Sequence, residues 1–281
     1  VVPYFQGFRI QEEDTVSEDR CAVEEIGDVD WVDIAVIHLP HISNFTDFDP
    51  LEDEPDVRLS YVGRGNRLSN PDLIIIPGSK NTIEDLYYLK RSGLAARITE
   101  LNRSGTPVIG ICGGFQMLGS DLKDPLHTES EIPQMEGLGL LNMSTTFYLE
   151  KVTTQVEAEV AGEGSLLSGT KGLRVAGYEI HMGKTELAPG AYPAIRILES
   201  SGKKTDAPDG AVSRDGTVFG TYIHGIFDSD LFRRQILNNL RSKKGYEPLS
   251  PADSIPALEQ RSKDLDKLAA VVRGSLDMEK I

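Results

Sequence analysis

Cysteine is nearly absent: Cys21 and Cys112 are the only two in 281 residues. That excludes a disulfide-built scaffold, and no Cys pair stands at zinc-ligand spacing. A reducing, cytoplasmic setting is the expectation. Positive charge is also in deficit, with 29 Lys and Arg against 44 Asp and Glu and a formal net charge of −15. A phosphate-backbone binder needs a basic face, so nucleic acid is not an expected partner. Anionic lipid is excluded on the same ground. No stretch approaches the roughly 18 consecutive apolar residues of a membrane span. The first residues, Val1-Val2-Pro3-Tyr4, lack both a Met and a basic segment before an apolar run. They do not read as a signal peptide but as a cut from something longer. Hydrophobic residues at 39% and charged residues at 26% are ordinary for a globular chain.

Residues 1–30 read as a linker. Positions 11–30 hold nine acidic residues and one Arg with no helical or strand period, and Cys21 there reads as an inert surface thiol. The main domain is expected over 31–240. Ile34–Ile37, Leu73–Ile76 and Val108–Ile111 are short apolar runs of buried-strand type, and Val57–Val62 alternates weakly as a further strand. Asn81, with Glu84 three residues on, predicts a capped helix closed by Gly93. Leu94–Arg103 predicts a second helix, and Gly114–Leu118 starts another. Strand and helix alternating with short polar joints indicates an α/β fold with an open, mostly parallel sheet. From about 140 to 225 the strand signals crowd together between glycine-rich turns, which predicts an antiparallel extension of that sheet. A helix follows from Leu231. Residues 241–281 form a charged tail, with Leu265, Leu268 and Val272 predicting a surface-packed helix.

The chemistry is concentrated at Gly110-Ile111-Cys112-Gly113-Gly114-Phe115-Gln116. A nucleophile on a turn from a buried strand into a helix is held in a strained backbone, and small residues must flank it at −2 and +2. Gly110 and Gly114 stand there. A helix N-terminus behind the sulfur favours the thiolate. Attack on a carbonyl needs oxyanion donors. The Gly113 N–H is one candidate, and Gly78, at the C-terminal end of the preceding strand, is the second. Of five histidines, His224 ends the strand pattern 218–224 and would share the Cys112 edge as general base. His181 is a second candidate, or a pocket residue.

These segments resemble class I, triad-type glutamine amidotransferases in the Gly-x-Cys-x-Gly-x-Gln of 110–116. Pro-Gly-Ser-Lys-Asn-Thr at 77–82 and Gly-Thr-Tyr-Ile-His-Gly-Ile-Phe-Asp at 220–228 narrow the resemblance to the cobyric and cobyrinic acid synthase branch. Tyr-Glu-Ile-His-Met-Gly at 178–183 points to the cobyric side of that branch. The resemblance implies a class I amidotransferase, flavodoxin-like fold. It implies that Cys112 attacks the side-chain amide of glutamine, that His224 moves the protons, and that Gln116 helps to hold the substrate. It implies delivery of ammonia to an N-terminal synthetase domain of the same polypeptide. That domain would use ATP and Mg to amidate a corrinoid at carboxylates b, d, e and g, with no cofactor in the present chain.

Two departures accompany the resemblance. Most class I members carry a Glu two residues after the catalytic His, where this sequence has Ile226. Asp228 and Glu179 are the candidates to orient His224 instead, or else a backbone carbonyl. The tail of a P-loop occurs at Gly183-Lys184-Thr185, but Tyr178 stands where the first glycine belongs, so no nucleotide site is expected. The rival readings are a Cys-nucleophile α/β-hydrolase, a non-catalytic docking module, and a glutaminase subunit of the lipid II amidating type.

Overall fold

The computed structural model describes residues 30–63 and 65–276. Cys21 and nearly all of the expected linker lie outside them. The central sheet has seven strands in the order Ala191–Tyr192, Ala211–Ser213, Val218–Thr221, Val108–Ile111, Leu73–Ile76, Val32–Ile37 and Val57–Val62. The five strands from Val218–Thr221 to Val57–Val62 run parallel. The remaining two are antiparallel additions at one edge. Leu73–Ile76, Val108–Ile111 and Val218–Thr221 are buried at every position. A strand covered on both faces has no use for polar alternation, which is why Leu73–Ile76 and Val108–Ile111 read as runs without a charged or polar side chain.

The expected extension of this sheet is only partly present. The long strands Met143–Val160 and Arg174–Leu187 pair with each other and belong to a second, antiparallel sheet, with Ile195–Ser200 and Lys203–Asp209 on one side and Ile223–His224 on the other. Their burial explains the separation. Met143–Val160 is buried at alternate positions near both ends and exposed between, so it cannot occupy a layer covered on both faces.

Helix Thr82–Ser92 begins as expected, with the Asn81 side chain accepting from Glu84 N–H at 3.1 Å, and stops at Gly93. The reciprocal half of the capping box is replaced. The Asn81 N–H donates to Ser79 Oγ at 3.0 Å, while the Glu84 carboxylate accepts from Ser130 Oγ. Helix Leu94–Arg103 follows directly. Helix Asp230–Lys243 is tied to the loop before Val57 by a buried ionic cluster that joins Arg233, Arg234 and Arg241 to Glu54 and Asp56. Helix Ala257–Ser275 lies on the surface, but Leu265 turns to solvent rather than packing with Leu268 and Val272. Among the described residues no helix is long and apolar enough to cross a membrane.

Candidate active site

Cys112 joins strand Val108–Ile111 to helix Gly113–Leu118 with φ 52° and ψ −110°, a region that side-chain-bearing residues occupy at a cost of order 1–3 kcal/mol. The flanking glycines are demanded by contact. A Cβ at Gly114 would stand 2.0 Å from the Ile76 carbonyl oxygen, and one at Gly110 would stand 2.7 Å from the Gly114 oxygen. The helix therefore seats directly on two strand ends and pushes the sulfur to the C-terminal edge of the sheet. Cys112 is 6% exposed, and its Sγ lies 3.5 Å from the Ile180 carbonyl oxygen.

Gly78 and Gly113 meet at the same corner. A Cβ on Gly78 would come within 3.1 Å of His224 Cε1 and 2.9 Å of Ser43 Oγ, and one on Gly113 within 3.0 Å of the Ser79 nitrogen. Gly78 is held there by a two-residue ladder to Ile42–Ser43.

His224 is fully buried at the end of the strand pattern. Its Nδ1 is 2.7 Å from Asp47 Oδ2, and Asp47 Oδ1 accepts from Gly225 N–H at 2.9 Å. Tyr178 stacks on the ring with centroids 5.3 Å apart. Its hydroxyl in turn accepts from Asn44 Nδ2. Burial works against a charged ring, but the charge and hydrogen bond of Asp47, joined by the Cys112 sulfur, outweigh it and lift the pKa to about 10. Nε2 has no partner of good hydrogen-bonding geometry within the protein. Cys112 is near enough to act on its charge.

Asp47, not Asp228 or Glu179, is thus the residue that orients His224. Glu179 follows Tyr178 on one strand, so its side chain leaves by the opposite face from the ring that covers His224. Asp228 lies one short turn beyond His224 and accepts from Arg261 at 3.3 Å. Asp47 stands 177 positions before His224, in the polar stretch Asn44–Asp49 that reads as a plain loop. The one local signal was Phe45 and Phe48 beside it, which are 4% and 0% exposed and draw this short turn into the core.

Gln116 is 2% exposed, and both ends of its amide are engaged by the protein. Oε1 accepts from Thr82 Oγ1 at 3.2 Å, while Nε2 donates to the Met182 carbonyl at 2.9 Å and to Tyr222 Oη at 3.1 Å. Tyr222 Oη pairs further with Thr185 Oγ1 at 2.6 Å. His181 stacks on the Tyr222 ring at 3.8 Å between centroids. Burial pushes its pKa down to about 4, against weak support from the backbone of Gly183 and Met182. Its Nδ1 has no good hydrogen bond, and its Nε2 is 4.0 Å from Glu179 Oε1. A neutral ring with no carboxylate in hydrogen-bond reach is a weaker candidate base than His224. Burial, aided by the nearby Asp209, raises the Glu179 carboxyl to about 7.

A cysteine beside an imidazolium reacts as a thiolate, and an imidazolium held by a carboxylate can return its proton to a leaving group. The arrangement suits acyl transfer from an amide or ester.

Comparison with known proteins gives concordant findings. Residues 33–232 match the CobB/CobQ-like glutamine amidotransferase domain family. The chain is 48% identical over 286 residues to a cobyric acid synthase of Caldanaerobacter subterraneus subsp. tengcongensis, covering 100% of this chain and 54% of that protein. It is 49% identical over 282 residues to a cobyric acid synthase of Dehalococcoides mccartyi, with the same coverage. The chain thus spans about half the length of the curated relatives it matches. Among solved structures, PurLQS of Thermotoga maritima is similar with a TM-score of 0.54 and 20% identity, covering 74% of this chain and 98% of the other. A crystal structure of a glutamine amidotransferase has a TM-score of 0.50 at 17% identity, covering 75% and 98%. At these identities the solved structures speak to the fold alone.

Proposed function

The chain belongs to the CobB/CobQ-like glutamine amidotransferase family, and from that premise we propose that it is the glutamine-hydrolysing part of a cobyric acid synthase. The observation that carries the proposal is the Cys112–His224–Asp47 arrangement, with the sulfur on a strained strand-to-helix turn and the ring buried against a carboxylate.

In the reactive pair His224 Nε2 already carries the proton, and the Cys112 sulfur attacks the side-chain amide carbon of glutamine as a thiolate. The S–C bond forms, and the carbonyl oxygen carries the negative charge toward the Gly78 and Gly113 corner. The C–N bond then breaks as His224 returns the proton to nitrogen, which leaves as ammonia. Water attacks the thioester and gives a proton to the now neutral His224, and glutamate departs as the thiolate of Cys112 and the charged ring are restored. Asp47 holds the ring with Nδ1 occupied and Nε2 directed to the reacting atoms. Gln116, with its amide spent on Thr82, Met182 and Tyr222, positions the turn rather than the substrate.

Ammonia then serves a synthetase half of the same polypeptide, which activates corrinoid carboxylates with ATP and Mg in cobalamin biosynthesis. A reducing cytoplasm keeps a thiol nucleophile competent. The test is Cys112→Ala in the full-length enzyme. Glutamine hydrolysis and glutamine-dependent amidation should vanish, while amidation fed by ammonium chloride persists. Retained glutaminase activity in this variant would refute the thioester route.

A further inference from the structure

The Gly78–Ser79 corner has little backbone pairing to hold it. Its ladder to Ile42–Ser43 is two residue pairs long, and one further bond, from Lys80 N–H to the His41 carbonyl at 2.8 Å, continues it. A two-stranded pairing this short is not stable by itself in water. Yet donors stabilise an oxyanion only from fixed positions. The Ser79 nitrogen lies 3.0 Å from where a Cβ on Gly113 would stand, so a drift of Ser79 changes the gap between the two sides of the corner.

The support comes from Asp85, in the first turn of helix Thr82–Ser92 and 0% exposed. A buried carboxylate is costly unless donors surround it. Burial pushes the Asp85 carboxyl above its ordinary 3.8, and hydrogen bonds from Ser79 and His41 work against that rise. The donors come from both sides of the ladder. Oδ2 accepts from Ser79 Oγ at 2.6 Å, and Oδ1 is 2.8 Å from His41 Nδ1. The His41 N–H reaches both oxygens, at 3.2 and 3.3 Å. Ser79 Oγ in turn accepts from Asn81 N–H at 3.0 Å, which fixes the turn into the helix. One side chain thus ties both short strands to a helix of 11 residues. We propose that Asp85 is a positioning residue for glutamine hydrolysis, locking Ser79 and His41 so that the oxyanion corner at Gly78 keeps its place beside Cys112. The inference rests on the amidotransferase reading. His224 is held by Asp47 and Tyr178, so formation of the thiolate does not depend on Asp85.

That division supplies the experiment, which uses the full-length enzyme carrying Asp85→Asn. Asn keeps the size of Asp85 but has one acceptor oxygen where these donors converge. A misplacement of about 1 Å in such a site costs on the order of 10²-fold, so kcat for glutamate release should fall about 10- to 100-fold. KM should stay within about threefold. Alkylation of Cys112 by iodoacetamide forms an S–C bond as iodide leaves and develops no oxyanion. Its rate, read on the peptide that carries Cys112, and its pH profile should match wild type within about twofold. Adding Ser79→Ala to Asp85→Asn should cost no more than about threefold beyond the worse single variant, because both act through one contact. Arg91→Ala, at an exposed position of the same helix, should change nothing. If Asp85→Asn does not fold, Ser79→Ala alone must show the same split between lowered kcat and unchanged alkylation. An unchanged kcat overturns the proposal, as does a rise in KM alone. Parallel loss of alkylation, or a shifted alkylation profile, also overturns it, since Asp85 would then act on the thiolate and its partner. Full multiplication of the two losses would show that Asp85 does not work through Ser79. Failure of the amidotransferase reading looks different: the wild-type enzyme would release no glutamate from glutamine at all.

Discussion

Replacing Asp47 by Asn separates charge from shape at the candidate site. The carboxylate accepts hydrogen bonds from His224 Nδ1 at 2.7 Å and from the Gly225 N–H at 2.9 Å. The amide of Asn has the same size but cannot be a charged acceptor toward both. His224 is completely buried, and burial alone drives an imidazole below its ordinary 6.5. With Asp47 in place the ring reaches about 10. At 1.36 kcal/mol per unit, that rise is on the order of 5 kcal/mol of preference for the charged ring. Most of it is lost with the charge. A base and acid role of this kind is worth about 10²–10⁴ in rate, so kcat/KM for glutamine should fall on the order of 10³-fold. The assay is glutamate release by the full-length enzyme from pH 5 to 10. Thermal melting adds a second readout. Because the folded pKa lies above the unfolded value, the stability that His224 contributes is fully present below pH 6.5 and is lost as pH rises through about 10. Asp47→Asn should flatten the melting temperature across that window. Glutaminase activity within about threefold of wild type would refute the assignment. A larger loss from Asp228→Asn would return the orienting role to Asp228.

Other expectations follow from the same geometry. His224→Ala should lower glutamine turnover by about 10²–10⁴-fold and His181→Ala by far less, read in parallel steady-state assays. The reverse order would make His181 the base. Gln116→Glu keeps the volume but spoils a satisfied amide, so kcat should drop about tenfold or more with KM nearly constant. A raised KM at constant kcat would instead make Gln116 a substrate contact. Glu179 holds its proton to about 7 when folded against an ordinary 4.5, so its stabilising effect is present at pH 4.5 and lost as pH rises through about 7. Glu179→Gln should therefore melt higher than wild type at pH 8, by the equivalent of roughly 1–3 kcal/mol, and no higher at pH 4.

The parallel sheet and the strained turn that carries Cys112 were legible in the chain itself because both are local. Four apolar residues in a row at 73–76 and at 108–111 state a strand buried on both faces. Gly110 and Gly114 mark the turn because a Cβ on Gly114 would collide with the Ile76 carbonyl at a strand end, and one on Gly110 with the Gly114–Phe115 backbone of the helix. His224 could be named as a candidate because it follows the strand Val218–Thr221 closely, although Ile223–His224 itself pairs in the second sheet. The second sheet was misassigned because its strands announce their length and alternation, but not which sheet they will join. Asp47 was invisible for a stronger reason. Nothing in a carboxylate of a polar loop identifies it, and its role exists only once Phe45 and Phe48 bury that loop and bring a residue 177 positions away within 2.7 Å. Gln116 illustrates the same division: its place in the turn is set by spacing along one chain segment. Whether its amide faces the substrate or locks three elements together is decided by Thr82, Met182 and Tyr222, which only packing brings around it. Local pattern determines where a nucleophile can stand, because strand, turn and helix are short-range events. The charge state and orientation of its partner depend on burial and on contacts across the whole fold.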